Sequence, residues 1–159
     1  MATYSTDDTR QMTYDVRAAA GVNDAMLALG RILLAIIFIA SGAEKFLDLA
    51  GTTSAIASKN LPMPYVLAVA TAGLELGGGL FIIAGWQTRF VALLLAVFTA
   101  IAGYFFHDFW NYPPGAEYTN NMIHFMKNLS IIGGFLMLCA VGAGRYSIDG
   151  PRIREQYLK

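Results

Sequence analysis

Residues 32–43 read ILLAIIFIASGA and residues 90–106 read FVALLLAVFTAIAGYFF, and neither stretch contains a charged side chain. With their apolar flanks, both reach about 20 residues, the length that a helix needs to cross the hydrocarbon core of a bilayer. Their residues do not alternate between apolar and polar, as those of a barrel strand would. Since lipid offers no partner to an unpaired backbone amide, both stretches are predicted to be membrane-spanning helices.

Two further apolar stretches of similar length bring the number of predicted spans to four. The four predicted spans are 26–47, 64–85, 89–110 and 122–142. The predicted fold class is therefore all-α, a four-helix transmembrane bundle that forms one membrane domain over residues 26–145. Polar residues 1–25 are expected to form a cytoplasmic tail, residues 146–159 a second one, and residues 52–58 a short surface helix.

The composition agrees with a bilayer environment and limits the function classes. Of the 159 residues, 56% are hydrophobic and 14% are charged, whereas a soluble domain carries about 25% charged residues. A net charge of zero and the lack of a basic stripe argue against nucleic acid as a partner. Cys139 is the single cysteine, so the chain cannot form an internal disulfide or a thiol–disulfide relay of its own.

The positively charged residues are distributed unequally between the two sides that four spans create. Lys45, Lys59 and Lys127 belong to one side, and the other eight of the 11 Lys and Arg residues belong to the side of the termini. The positive-inside rule therefore predicts that both termini lie in the cytoplasm. Each hairpin also contains a Gly-Gly pair, an apolar run and then an Arg, a weak similarity that suggests a parallel repeat about an axis along the membrane normal.

Glu75 stands near the middle of the second predicted span, where an acid costs on the order of 2.5–3.5 kcal/mol. It must therefore be protonated, paired or in contact with water. Arg31, close to the same end of the first span, is the expected partner. One interpretation is a structural ion pair that fixes the helix register. The other is a catalytic pair in which Glu75 relays protons or orients a ligand.

A second polar group gathers at the predicted outer ends of three spans. Glu44 closes the first span, Tyr104 and His107 close the third, and His124 and Lys127 open the fourth. These helix ends should reach the same depth in the bilayer. The sequence therefore predicts that Glu44, His107, His124 and Lys127 converge near the outer membrane face, with Tyr104 at the same helix end.

Three interpretations of this group remain open on the residues alone. The side chains could be interfacial groups that reach water, with Glu44 and Lys127 as a pair. They could line a cavity for a quinone-like or other aromatic ligand, with the histidines and Lys127 bonding its carbonyls and with flanking rings from Tyr104, Phe105, Phe106 and Phe125. The histidines, with Glu44, could instead bind a metal or haem, but two histidines without a spacing motif are weak support, and no metal site is assigned.

In its motifs and their order, the chain resembles the DoxX family of small bacterial membrane proteins over about residues 26–150. The resembling motifs are Gly30-Arg31, Ser41-Gly42, Glu44–Leu47, Asn60–Pro64, Leu74–Gly78, Thr88-Arg89, His124–Leu129 and Gly144–Asp149. The resemblance implies a four-helix protein of the bacterial inner membrane that serves as a subunit or partner of membrane redox systems, such as thiosulfate:quinone oxidoreductase and terminal quinol oxidase. It implies no agreed catalytic residues.

We therefore expect an inner-membrane subunit or accessory protein of a quinone-linked redox system, with an outward-opening polar cavity and a quinone as its cofactor. The chain has no flavin or dinucleotide motif, so electrons would come from a redox partner subunit or a bound cofactor. Whether the chain is itself catalytic is left open, as is a homo- or hetero-oligomeric state.

Two other function classes compete with this expectation. The first is a structural or assembly subunit, whose signature would be glycine seams that face outward and exposed Glu44 and Lys127 side chains. Gly73 and Gly77 form a G-x-x-x-G motif of the kind that lets helix backbones approach closely. The second, a small-solute transporter, is disfavoured because the inner halves of the last two spans are almost wholly apolar.

Overall fold

The computed structural model describes residues 6–150, with side chains from residue 23, and the part it describes contains helices and no strand. The helices are α1 (Thr6–Leu47), α2 (Leu49–Ser58), α3 (Pro64–Ala84), α4 (Thr88–Phe106) and α5 (Ala116–Val141), with a 3-10 turn at Phe109–Asn111. Four segments are long and apolar enough to cross a membrane, namely Asn23–Leu47, Pro64–Ala84, Thr88–Asn111 and Ala116–Val141. The predicted all-α fold with four spans is confirmed.

Two helices begin earlier than the apolar pattern indicates. α1 starts at Thr6, so most of the expected tail is helical and continuous with the first span. α5 starts at Ala116 and not at residue 122. The apolar pattern did not include its first turns, because they are polar. The expected surface helix is present as α2, and α3 begins with Pro64, a residue whose fixed backbone angle suits the first helical turn. Segments 1–5 and 151–159 of the predicted tails lie outside the described residues.

α1 and α3 lie antiparallel in direct backbone contact. A Cβ on Gly42 of α1 would lie 2.5 Å from the amide nitrogen of Leu76 and 2.9 Å from the carbonyl oxygen of Ala72 on α3. Gly79 of α3 faces α1 in the same way, because its Cβ would lie 2.6 Å from Cγ1 of Ile39. Two small residues therefore let the helices pack closely, which replaces the hydrophobic driving force that lipid does not provide.

The G-x-x-x-G motif is not this contact. A Cβ on Gly73 or Gly77 would meet nothing within 4 Å, and Gly73 is exposed on the surface of α3. This pair therefore makes no close helix contact within the single chain. The close contacts within the chain are made by the adjoining glycines, Gly78 against Leu95 of α4 and Gly79 against α1.

The centre of the bundle is filled by apolar side chains from all four spans. Phe38 of α1 and Phe135 of α5 are buried with their ring centroids 5.3 Å apart. The buried residues that pack with them are Ala35, Ile82, Val91, Ala92, Leu95, Ala96 and Leu138. Gly103 of α4 lies against Asn128 of α5, towards the end of the bundle that carries His107 and His124.

Hydrogen bonds between the helix ends show which ends share a side of the bundle. Asp24, at the start of the first span, accepts a hydrogen bond from the backbone nitrogen of Arg145 after α5 at 3.0 Å. The Asp149 carboxylate accepts from the backbone nitrogens of Gln87 and Thr88 at 3.0 and 2.7 Å. We call this side the inner face and the opposite side the outer face, following the Lys and Arg count. The cytoplasmic orientation and the repeat stay predictions.

Gly42→Ala is expected to lower the thermal unfolding midpoint of the protein in mild detergent. The added methyl would meet backbone atoms of α3, which can move away only if the two helices separate, and overpacking of this kind costs about 1–3 kcal/mol. Gly30→Ala in the same helix is the matched control, because a Cβ there meets nothing within 4 Å. Equal midpoints for the two variants would contradict the close α1–α3 contact.

Candidate functional site

Glu75 is buried and forms an ion pair with Lys45. The residue is 6% exposed, and its Oε2 lies 2.7 Å from Nζ of Lys45. The same ammonium donates a hydrogen bond to Oγ of Ser41, one turn earlier in α1. The polar neighbour that a carboxylate needs at this depth is therefore present, and it comes from the helix that touches α3 most closely.

The expected ion pair between Glu75 and Arg31 is wrong. Because Gly42 lies opposite Ala72 and Leu76, the antiparallel register places Glu75 beside the Ser41–Lys45 turn. Arg31 precedes Lys45 by 14 residues in α1, which corresponds to about 20 Å along a helix. The two residues therefore lie at different depths of the bundle and have different partners.

Arg31 instead joins three parts of the chain at the inner face. It is 2% exposed, and its Nη1 donates to the carbonyl oxygens of Ile82 and Ile83 at 3.2 Å each. Its Nη2 donates to the carbonyl oxygen of Tyr146, in the segment after α5. The last carbonyls of a helix have no partner within the helix, and a cation there is favoured by the helix dipole. Arg31 thus caps the C-terminus of α3.

Asp149 has the matching role at the start of α4. Its carboxylate accepts the backbone N–H groups of Gln87 and Thr88, and its own N–H donates to the carbonyl of Gly85 at 2.8 Å. Desolvation raises the pKa of this carboxyl, but the hydrogen bonds from Thr88 and Gln87 and the charge of Arg31 outweigh it, so the pKa lies below its usual value. Sequence analysis missed this cap, although the Gly144–Asp149 motif that carries it was visible.

At the outer face, the two histidines of the chain meet. Their imidazole rings are stacked, with centroids 4.8 Å apart and an interplanar angle of 15°. His107 follows the last turn of α4, His124 lies within α5, and both are half-buried. The predicted approach of His107 and His124 is confirmed. Since ring nitrogens can donate or accept hydrogen bonds, the stack places this capacity at one point of the membrane surface.

The remaining three residues of the predicted group do not complete it in the expected way. Glu44 is exposed, because it lies about 100° around α1 from Lys45, the residue that faces α3. Lys127 is also exposed, and the residues with described side chains show no ion pair between it and Glu44, so that expected pair is wrong. Tyr104 is 60% exposed and packs against Trp110 at a centroid distance of 5.6 Å.

Aromatic rings that follow the two histidines in the sequence pack against each other, and of these rings only Phe125 was expected at the site. Phe109 and Trp110 of the 3-10 turn pack against Phe125 of α5 at centroid distances of 5.5 and 5.6 Å. We call His107, His124, Phe109, Trp110 and Phe125 the outer patch. The patch combines flat apolar surfaces with hydrogen-bonding nitrogens at the end of the bundle.

An ion pair closes the same end of the bundle. Nζ of Lys59, just after α2, lies 2.9 Å from Oδ1 of Asp108, which follows His107. This pair ties the α2 segment to the turn that carries the outer patch. Within the described residues, no three His, Cys, Asp or Glu side chains are grouped so that they could hold a metal ion.

The fold and these polar contacts define a small polytopic membrane protein, and comparison with known proteins gives its family. A family model described as DoxX matches residues 26–108. Inner membrane protein YqjF of Escherichia coli strain K12 is 40% identical over 131 residues, which cover 80% of this chain and 92% of that protein. The chain belongs to the DoxX family and is a multi-pass inner-membrane protein.

Further comparisons extend this assignment. Inner membrane protein YphA of the same organism is 35% identical over 136 residues, 86% of this chain and 94% of that protein. A Surfeit locus protein 4 homolog of Schizosaccharomyces pombe is 30% identical over 69 residues, only 43% of this chain and 23% of that protein. No solved structure matches the chain.

Lys45→Met is expected to destabilise the protein by about 2.5–3.5 kcal/mol, because it leaves the Glu75 carboxylate unpaired inside the bundle. The double variant Lys45→Met/Glu75→Leu should recover most of this loss, since an apolar pair of similar volume can replace a buried ion pair. The measurement is thermal unfolding in detergent, with Lys127→Met as a control for the loss of a lysine. A double variant as unstable as the single one would contradict the pairing.

Proposed function

We propose that this DoxX protein is an accessory subunit of a quinone-linked redox system and that it binds the quinone head group at the outer patch. The observation that carries the proposal is the His107–His124 stack, in which two imidazoles distant in sequence lie 4.8 Å apart. A quinone head group is a flat ring with carbonyl oxygens. Sites for such ligands combine aromatic walls with a few hydrogen-bond donors.

The residues of the outer patch would divide these tasks. An imidazole N–H of His107 or His124 would donate a hydrogen bond to a quinone carbonyl, and the exposed ammonium of Lys127, three residues after His124 on α5, would assist. Phe125 and Trp110, which pack edge to face against each other at 5.6 Å, would form one apolar wall beside the quinone ring. Because the chain carries no flavin or dinucleotide motif, the electrons would come from a partner subunit.

The buried charges are not needed for this role. Glu75 is paired with Lys45 at 2.7 Å, and Arg31 is occupied by the carbonyls at the end of α3. Both arrangements stabilise the bundle as described above. The proposal therefore assigns ligand binding to the outer patch and structural roles to Glu75 and Arg31.

The position of the two tryptophans allows a direct test of quinone binding. Trp110 belongs to the outer patch and Trp86 follows α3 at the inner face, and the chain contains no other tryptophan. With Trp86→Phe as background, decylubiquinone added to the detergent-solubilised protein should quench Trp110 fluorescence in a saturable way. His107→Phe or His124→Phe keeps a stacked ring but removes its nitrogens, and should raise the half-saturating concentration about five- to tenfold.

The reciprocal background Trp110→Phe is the control, because it reports quinone that only partitions into the detergent micelle near Trp86. Quenching there should rise without saturation and should not respond to the histidine variants. If both tryptophans are quenched alike, or if the histidine variants bind as well as the parent, the outer patch is not a quinone site.

A second candidate function, an assembly subunit of a membrane complex, is favoured by the outward-facing glycines. Gly73 and Gly77 open onto a groove of about 450 Å³ between α3 and α4 whose walls include Phe81, Phe90 and Leu94. Open glycines on a lipid-facing helix allow a partner helix to approach closely. In this function the groove would receive one transmembrane helix of a partner subunit.

Gly77→Leu should fill this groove and release such a partner, without disturbing the chain's own packing. The expected result is a smaller native mass of the complex extracted in mild detergent, while the thermal midpoint of the chain itself stays unchanged. Gly133→Leu, at a position of α5 where a Cβ also meets nothing within 4 Å, is the matched control. An unchanged mass for Gly77→Leu would exclude the groove as the assembly surface.

A further inference from the structure

A second cavity, remote from the outer patch, opens at the inner face. It encloses about 580 Å³ between the start of α4, the end of α5 and the segment that follows α5. Its lining includes the arginines Arg89 and Arg145, the acids Asp24 and Asp149, and the apolar side chain of Phe90. The cavity therefore places two guanidinium groups next to a lipid-facing surface, at the depth where α4 begins and α5 ends.

The acids of this cavity already have hydrogen-bond donors from the backbone. Asp149 accepts the N–H groups of Gln87 and Thr88 at 3.0 and 2.7 Å. Asp24 accepts the backbone N–H of Arg145 at 3.0 Å. Their carboxylate oxygens are thus engaged in capping and joining the helix ends.

The guanidinium groups are less well satisfied within the described part of the chain. Nη2 of Arg89 reaches the carbonyl oxygen of Val141 at 3.5 Å, the outer limit of a hydrogen bond. Nε of Arg145 lies 3.9 Å from Oδ2 of Asp24, and its side chain is 57% exposed. Each guanidinium carries five N–H donors, so most donors of both residues remain available to an anion that enters the cavity.

The apolar part of the lining indicates what else the anion must carry. Phe90 and Val141, which line the cavity next to the arginines, are 66% and 59% exposed and belong to the membrane-spanning faces of α4 and α5. A small inorganic anion would leave this surface unused. A ligand with a phosphate group and an acyl chain would bind the guanidinium groups at one end and cover the apolar wall with the other.

We propose that this inner-face cavity binds an anionic phospholipid. The phosphate would accept hydrogen bonds from Arg89 and Arg145, and an acyl chain would lie along Phe90 and Val141. Basic pockets between transmembrane helices recognise anionic head groups in this way, at about 1 kcal/mol for each Arg near the surface. The site belongs to the end of the bundle opposite the outer patch, so it stands independently of the proposed quinone site.

Native mass spectrometry of the full chain in mild detergent tests the site. Dioleoyl-phosphatidylglycerol should remain bound at concentrations at which dioleoyl-phosphatidylcholine, with the same acyl chains, does not. Arg89→Gln and Arg145→Gln should each weaken phosphatidylglycerol retention about fivefold, which corresponds to about 1 kcal/mol. Lys127→Gln, which removes one exposed charge at the outer face, is the matched control and should leave retention unchanged.

Three results would overturn the proposal. The first is equal retention of the two lipids by the unmodified chain, and the second is the same loss of phosphatidylglycerol from Lys127→Gln as from the arginine variants. The third is displacement of phosphatidylglycerol by millimolar inorganic phosphate, which would show a site for a free anion and not for a lipid. Because both arginine side chains are exposed, these variants are expected to keep the thermal midpoint of the parent, which shows that they are folded.

Discussion

The close contact between α1 and α3 is the constraint on which the rest of the structure depends. Gly42 and Gly79 bring the two helices together, and the register that results places Lys45 2.7 Å from Glu75. In lipid the hydrophobic effect does not hold helices together, so packing and polar pairing have to do so. The glycines and the ion pair depend on each other. Without the close approach that the glycines allow, the Lys45 ammonium would not reach the Glu75 carboxylate. Without Lys45, that carboxylate would be unpaired.

The inner face solves a related problem at the helix ends, where backbone groups lose their partners within the helix. Arg31 supplies donors to the last carbonyls of α3, and Asp149 supplies acceptors to the first N–H groups of α4. Both side chains come from elsewhere in the chain, so the α3–α4 turn is held by α1 and by the segment after α5. Gly85, with φ of +65°, permits this arrangement, because a Cβ there would collide with the Arg31 guanidinium.

The spans could be predicted because the length and apolarity that a bilayer demands are local properties of the sequence. The meeting of His107 and His124 could be predicted as well, since both lie at helix ends of the same depth. The partner of Glu75 could not, because two cations of the first span were available and only the register with α3 chooses between Arg31 and Lys45. The capping role of Asp149 also depends on a contact between segments 61 residues apart, which no local pattern encodes.

The polar residues of the described chain therefore fall into two groups with different physical roles. The first group consists of charged residues that pair with each other or with the backbone. Lys45 pairs with Glu75, which has no partner in lipid, and Arg31 and Asp149 bond the backbone groups that are unpaired at helix ends. His107, His124 and the arginines that line the inner-face cavity lie at the two ends of the bundle, where water could satisfy them equally well. Packing does not explain why imidazoles are stacked beside aromatic rings at one end, or why guanidinium groups border an apolar wall at the other. Ligands from the membrane, a quinone head group and an anionic lipid, would give both arrangements a use.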